Sequence, residues 1–220
     1  MPVKKKQGEP QRQAAKSEAM RSRLIEAAKQ SLLEKGYART TAVEVCARAG
    51  VTRGALFHHF SSLSMLLAAT LDEMYAALSA QSEGARADNP KFAMSDFIEA
   101  IWVSFGHPDF KIVIEVWLAA RNDPELREEL MPVIQRFKWL ASPEANDRLA
   151  EVVGRSAENV ALYRLIVEAM IGMALGRAVS PDGRALAHEG AVVALLKNLA
   201  LGMDAAPPRK EKRSGKPRNA

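Results

Sequence analysis

The chain predicts an all-α fold: a small N-terminal unit of three helices, then a larger helical unit. Three observations carry that expectation. Apolar residues recur at three- and four-residue spacing almost throughout, and no stretch shows the strict alternation of a strand. Proline and glycine clusters interrupt the pattern where helices have to stop. Between Thr40 and Phe60 the sequence TTAVEVCARAGVTRGALFHHF holds two helix starts on either side of a sharp turn.

In chain order, residues 1–19 are polar and lysine-rich, the composition of a disordered basic arm. A first helix is expected from Met20 to Lys35, with Leu24, Ala28 and Leu32 on one face. Thr41 opens the second as the first member of a Thr-x-x-Glu capping box completed by Glu44. Val45 and Cys46 supply its apolar side, and Gly50 is free to take the left-handed conformation that ends it. Thr52 caps a third helix through Phe60, with Leu56 and Phe60 pointing inward. Ser61 or Ser62 caps a fourth, expected to reach Gln81 with Leu63, Leu67, Thr70, Leu71, Met74 and Leu78 in one stripe. Gly84 to Pro90 reads as a loop. Further helices are expected at 91–105, 109–121, 124–150 (kinked or split at Pro132 and Pro143), 157–178 and 183–203, and the tail 207–220 reads as disordered.

At 220 residues and 48% hydrophobic content the chain can bury a sizeable core. No uninterrupted apolar run reaches the roughly 18 residues of a membrane span, and the charged N-terminus is not a secretory signal. One cysteine, Cys46, excludes an internal disulfide and fits a reducing, cytoplasmic compartment. The net charge of +5 is unevenly spread: residues 1–20 carry +3, 21–67 carry +4, 68–206 carry −7 and the tail +5. One end of the molecule therefore suits a polyanion.

A helix, a short turn and a second helix with polar residues on its outer side make the helix-turn-helix plan, whose second helix lies in the DNA major groove. The residues also resemble the DNA-binding domain of the TetR family of bacterial regulators. Arg23-Leu24-Ile25-Glu26-Ala27-Ala28, Glu34-Lys35-Gly36-Tyr37, Thr40-Thr41, Ala49-Gly50-Val51-Thr52 and Gly54-x-Leu56-Phe57-x-His59-Phe60-x-Ser62 stand in the family's order and spacing. Two positions depart from it. Phe57 replaces a tyrosine whose hydroxyl reaches phosphate, and Leu63, which extends an apolar stripe, replaces a lysine. The resemblance implies a two-domain all-α regulator: a DNA-binding domain over 20–67 and an effector-binding and dimerisation domain over 68–206.

Residues for DNA contact follow from helix position. Thr41 and Thr52 sit at helix N-termini, which attract phosphate. Arg53 is the candidate for reading a guanine bidentately. Gly54 permits close approach, Ala55 can meet a thymine methyl, and His58 can serve either role. His59 matches a backbone-contacting position of the family, and Phe57 shares the same helix.

The second unit offers aromatic and methionine residues able to wall a cavity for a bulky, largely apolar effector. The candidates are Trp102, Phe105, Phe110, Trp117, Phe137, Tyr163 and Met170, with Glu115 and Arg121 as polar anchors. The last two helices carry more apolar width than one buried stripe needs, and the resemblance assigns them to a homodimer interface. Four histidines without ligand spacing give no metal site, and no catalytic constellation or cofactor motif appears, so an enzyme is not expected. The expected function is a homodimeric repressor released from a palindromic double-stranded operator by a small apolar effector. The alternative is a ligand-blind DNA-binding protein of chromosome organisation or cell-division control.

Overall fold

The computed structural model describes residues 9–87, 89, 92–107, 109–140, 142–180 and 186–204. They form α1 (Glu9–Lys35), a 3-10 turn (Tyr37–Arg39), α2 (Ala42–Ala49), α3 (Arg53–His59) and α4 (Leu63–Ala87). The second unit holds α5 (Met94–Phe105), α6 (Phe110–Ala120), α7 (Pro124–Leu140), α8 (Asp147–Val153), α9 (Ala157–Val179) and α10 (Glu189–Asp204). No strand occurs among the described residues.

Several boundaries differ from the sequence expectation. α1 begins at Glu9 rather than Met20, so part of the expected disordered arm is helical. Gln, Arg, Ala, Lys and Glu dominate residues 11–19, and Pro10 falls in the first turn, where its missing N–H costs no hydrogen bond. These side chains are exposed, so propensity rather than burial extends the helix. Residues 1–8 and the expected disordered tail at 207–220 lie outside the described residues.

α4 continues through Gly84 to Ala87, where a loop was expected. A single glycine in a helix costs only about 1 kcal/mol, which does not stop it. The expected 124–150 helix is two. Pro132 is carried inside α7, whereas Pro143 falls in the break before α8, and Asn146 Oδ1 starts α8 by accepting from Leu149 N–H at 3.2 Å.

The buried apolar residues form one continuous cluster from Leu24 in α1 to Ala200 in α10. Leu24, Ala28 and Leu32 are fully buried as expected, and α1 packs on α2 and α4. α6 (FKIVIEVWLAA) is apolar on nearly every side because it lies among α1, α7 and α9. α4 packs along α7, and α10 packs along α5. At the far end of α9, Arg177 pairs with the buried Glu189 of α10, donates to Gly106 O at 2.6 Å, and lies 5.1 Å from the Trp102 ring centroid. Burial alone would raise the Glu189 pKa. Arg177 and the Leu186 N–H hold it below the usual glutamate value.

α9 is long and apolar enough to cross a membrane, contrary to the expectation that no segment would be. Its interruption by Arg164 and Glu168 hides this from a search for unbroken apolar runs. Tyr163, Ile166, Met170, Met173 and Ala174 enter the core, while Leu165, Leu175 and Val179 are exposed.

Candidate nucleic-acid interface and effector region

Local hydrogen bonds fix the helix-turn-helix. Thr41 Oγ1 accepts from Glu44 N–H at 3.2 Å and Thr52 Oγ1 accepts from Ala55 N–H at 3.2 Å. Each threonine keeps its own hydroxyl proton to donate outward. Only half of the expected capping box forms at Thr41, because the Glu44 carboxylate turns instead to Lys35 at 2.6 Å and Arg48 at 3.3 Å. These bonds, that to Lys35 foremost, hold its carboxyl below the usual range. Gly50 takes φ 62°, and Val51 N–H reaches back to Cys46 O at 3.0 Å, closing α2 with a Schellman-type turn. Ser62, rather than Ser61, starts α4 by accepting from Met65 N–H at 3.1 Å.

The two sides of α3 differ sharply. Leu56 is fully buried and Phe60, its C-cap, is 1% exposed. Thr52, Arg53, Gly54, Phe57 and His58 are exposed, while Ala55 and His59 are half-buried. The expected DNA-contacting residues of α3 therefore share a continuous outer surface, with Thr41 exposed at the start of α2. The Arg53 guanidinium lies 5.8 Å from the Phe57 ring centroid, and the His58 and His59 rings meet edge-on at 5.2 Å. Leu63 packs against the core, in keeping with the apolar stripe. Cys46 is buried beneath this unit, and burial raises its thiol pKa.

Three contacts join this unit to α6 and the α6–α7 corner. Tyr37 N–H donates to Glu115 Oε1 at 2.6 Å, and Tyr37 Oη donates to Asp123 Oδ2 at 2.6 Å. Lys29 pairs with Asp109 at 2.6 Å. Asp123 Oδ1 also accepts from Leu126 N–H at 3.0 Å, so one carboxylate both caps α7 and holds the 3-10 turn. The Leu126 N–H first, then the Tyr37 hydroxyl, keep the Asp123 pKa low. Burial, then the Asp123 bond, push the Tyr37 phenol up to about 12. Gly36 (φ 75°) makes the joint possible: a Cβ there would sit 2.6 Å from Glu115 Oε1.

The expected effector residues do not converge on one place. Phe105 and Phe110 stack at 4.4 Å, Trp102 lies with Arg177, and Tyr163 faces Phe97 at 5.7 Å. Met170 is fully buried in the core. Neither polar anchor joins them: Glu115 is spent on Tyr37, and Arg121 is exposed at the end of α6. Trp117 and Phe137 do come together, around Tyr75 of α4, whose ring stacks on Phe137 at 4.1 Å.

Sequence reasoning missed Tyr75, although its place four residues after Leu71 put it on the buried stripe. Tyr75 also lines a cleft of about 300 Å³ between the two units, together with Lys29, Leu78, His107, Asp109 and Phe110. Among the described residues no His/Cys/Asp/Glu cluster has the arrangement of a metal site.

Residues 24–70 match the sequence profile of bacterial regulatory proteins, tetR family. The HTH-type transcriptional regulator CymR of Pseudomonas putida is 32% identical over 130 residues, 58% of this chain and 64% of CymR. The chain thus matches just under two thirds of that relative's length. An uncharacterised HTH-type transcriptional regulator of Mycobacterium tuberculosis is 28% identical over 169 residues, 73% of this chain and 84% of that protein. The crystal structure of a transcriptional regulator from Rhodococcus sp. has the same fold, with a TM-score of 0.64 at 21% identity over 85% of this chain and 99% of that one. A capped helix-turn-helix with its outer face free thus coincides with the tetR-family match over residues 24–70, on an all-helical body that shares the fold of that regulator.

Proposed function

We propose that the chain is a homodimeric transcriptional repressor that binds a palindromic operator through α3 and is released by a small, largely apolar effector. The observation that carries the DNA reading is the division of α3. Leu56 and Phe60 anchor it in the core, while Arg53, Gly54 and His58 stay exposed on a rigid, capped helix. Arg53 reads a guanine, and Thr41 and Thr52 donate to phosphates from helix N-termini. With Phe57 unable to donate, its ring serves to steady the Arg53 guanidinium.

The body beyond residue 67 is the effector and dimerisation domain. Leu165, Leu175 and Val179 of α9 and Leu195, Leu199 and Leu201 of α10 are exposed. Apolar side chains of this kind on two helices suit a self-complementary dimer interface. Such a dimer sets two α3 helices on half-sites about one DNA turn apart. Effector binding is transmitted to them by α4, which spans both units, and by the Glu115 and Asp123 contacts to Tyr37. DNA binding and effector binding are then coupled reciprocally. A DNA-bound role places the protein in the cytoplasm.

Anisotropy of labelled DNA from upstream of the protein's own gene, against a scrambled control at two salt concentrations, tests this. Wild type should prefer the upstream DNA, and Arg53→Ala should lose that preference while remaining folded. Equal binding of both DNAs, abolished by salt, would overturn the operator reading. Specific binding that no apolar compound releases would instead favour a ligand-blind DNA-binding protein.

A further inference from the structure

Among the described residues, two buried polar atoms in the body make no hydrogen bond: Tyr75 Oη on α4 and Trp117 Nε1 on α6. Tyr75 is 4% exposed. Leaving a buried donor without a partner forfeits its hydration with nothing in return, and here two stand side by side. The indole is near enough to offset part of the rise that burial imposes on the phenol's pKa, yet the pair does not reach bonding geometry. The phenol therefore stays protonated. An indole N–H can only donate and a phenol donates readily, so the two share a need for one acceptor, and a carbonyl oxygen with two lone pairs meets both.

Flat aromatic surface adjoins Tyr75. The Phe137 ring stacks on Tyr75 at 4.1 Å and 14°, and Tyr75 shares the wall of the 300 Å³ cleft with Phe110, which stacks on Phe105. The lysine that lines the cleft and the arginine beside Phe137 are both already paired. Arg136 of α7 pairs with Asp72, and Lys29 at the cleft pairs with Asp109. A buried carboxylate would thus lack the compensation that its desolvation requires.

We propose that the effector is a planar aromatic compound with a neutral carbonyl group, whose oxygen accepts from both Trp117 Nε1 and Tyr75 Oη while its rings lie among Tyr75, Phe137 and Phe110. This rests on the effector reading above and gives it a chemical class. Because Tyr75 is on α4 and Trp117 is on α6, two residues from Glu115, the shared acceptor bridges the two helices that meet the reading unit.

The test is calorimetric titration of the full chain with three probes of similar shape: 2-acetylnaphthalene, 2-ethylnaphthalene and 2-naphthoate. Wild type should bind the ketone roughly tenfold tighter than the hydrocarbon. Tyr75→Phe and Trp117→Phe should each reduce that contrast to about twofold or less, with the hydrocarbon's affinity little changed. Tyr75→Phe keeps the ring and removes an unsatisfied hydroxyl, so its melting temperature should equal or exceed that of wild type. A clear fall would mean the hydroxyl has a partner within the protein and would overturn the proposal. If Trp117→Phe does not fold, Tyr75→Phe decides alone. Equal wild-type affinity for ketone and hydrocarbon would refute the polar anchor while leaving an apolar effector site standing. Tightest binding by 2-naphthoate would refute the neutral class. Binding by none of the three would overturn both this proposal and the effector reading at this site.

Discussion

Gly54→Ala separates what the fold requires from what DNA requires. Gly54 is the second residue of α3 and is exposed, and it is not among the positive-φ glycines, which are Gly36, Gly50 and Gly154 among the described residues. A Cβ built on it meets nothing nearer than Thr52 Oγ1 at 3.8 Å, an ordinary van der Waals contact. The protein alone thus gives no reason for glycine here. Replacing it with a good helix former should stabilise the chain by about 0.5–1 kcal/mol, a rise in melting temperature of roughly 1–4 °C for a chain of this size. If DNA backbone or a base edge approaches this point, the added methyl displaces it. Losing one good base contact amounts to about 1–3 kcal/mol, roughly 5- to 150-fold in affinity. The two effects have opposite signs, so a simple folding defect cannot imitate the result. Thermal melts and anisotropy on the same preparations measure both. Undiminished DNA affinity would show that DNA does not close on Gly54, and a lower melting temperature would refute the geometry of α3.

Other consequences follow from buried or shared groups. Glu189→Gln should destabilise the chain by about 3 kcal/mol in chemical denaturation, because it leaves the largely buried Arg177 without its counter-charge. Tyr37→Phe removes the hydroxyl shared with Asp123 and should cost about 1–2 kcal/mol at neutral pH. A carboxyl held low in the fold contributes stability above its unfolded pKa, near 3.8, and loses it as pH falls through the lower folded value. The gap between wild type and Tyr37→Phe should therefore narrow in melts taken below about pH 4; a constant gap would mean that the bond does not act through Asp123. Cys46, buried and with its thiol pKa raised, should react with a disulfide reagent only at the rate of local opening. Immediate reaction in the native state would contradict its burial.

The helix-turn-helix was legible in the sequence because its determinants are local. Thr41 with Glu44 and Thr52 with Ala55 are bonds across three residues, and Val51 with Cys46 is one across five, so a short stretch of side chains and backbone decides them. The apolar periodicity of Leu24, Ala28 and Leu32, or of Leu67 and Leu71, similarly names a buried face without saying what covers it. The start of α1 was missed because helix propensity carries it into exposed, polar sequence, where no apolar stripe marks its extent.

The effector region was legible only as a composition. Glu115, flanked by Ile114 and Val116, looks like a polar group aimed into an apolar cavity. In the fold it meets Tyr37, 78 residues earlier, and Tyr37 meets Asp123 across 86. Neither distance leaves a periodic signature. Trp117, Phe137 and Tyr75 come together only because α4 packs along α7 with α6 beside it. By itself, then, the sequence determined that the chain is helical, which threonines cap the second and third helices, and which face of the third is left exposed, since each depends on residues within one or two turns. Only the tertiary structure decided which polar groups join the two units and that Tyr75 and Trp117 leave buried donors unsatisfied, because those depend on how helices far apart in the chain pack side by side.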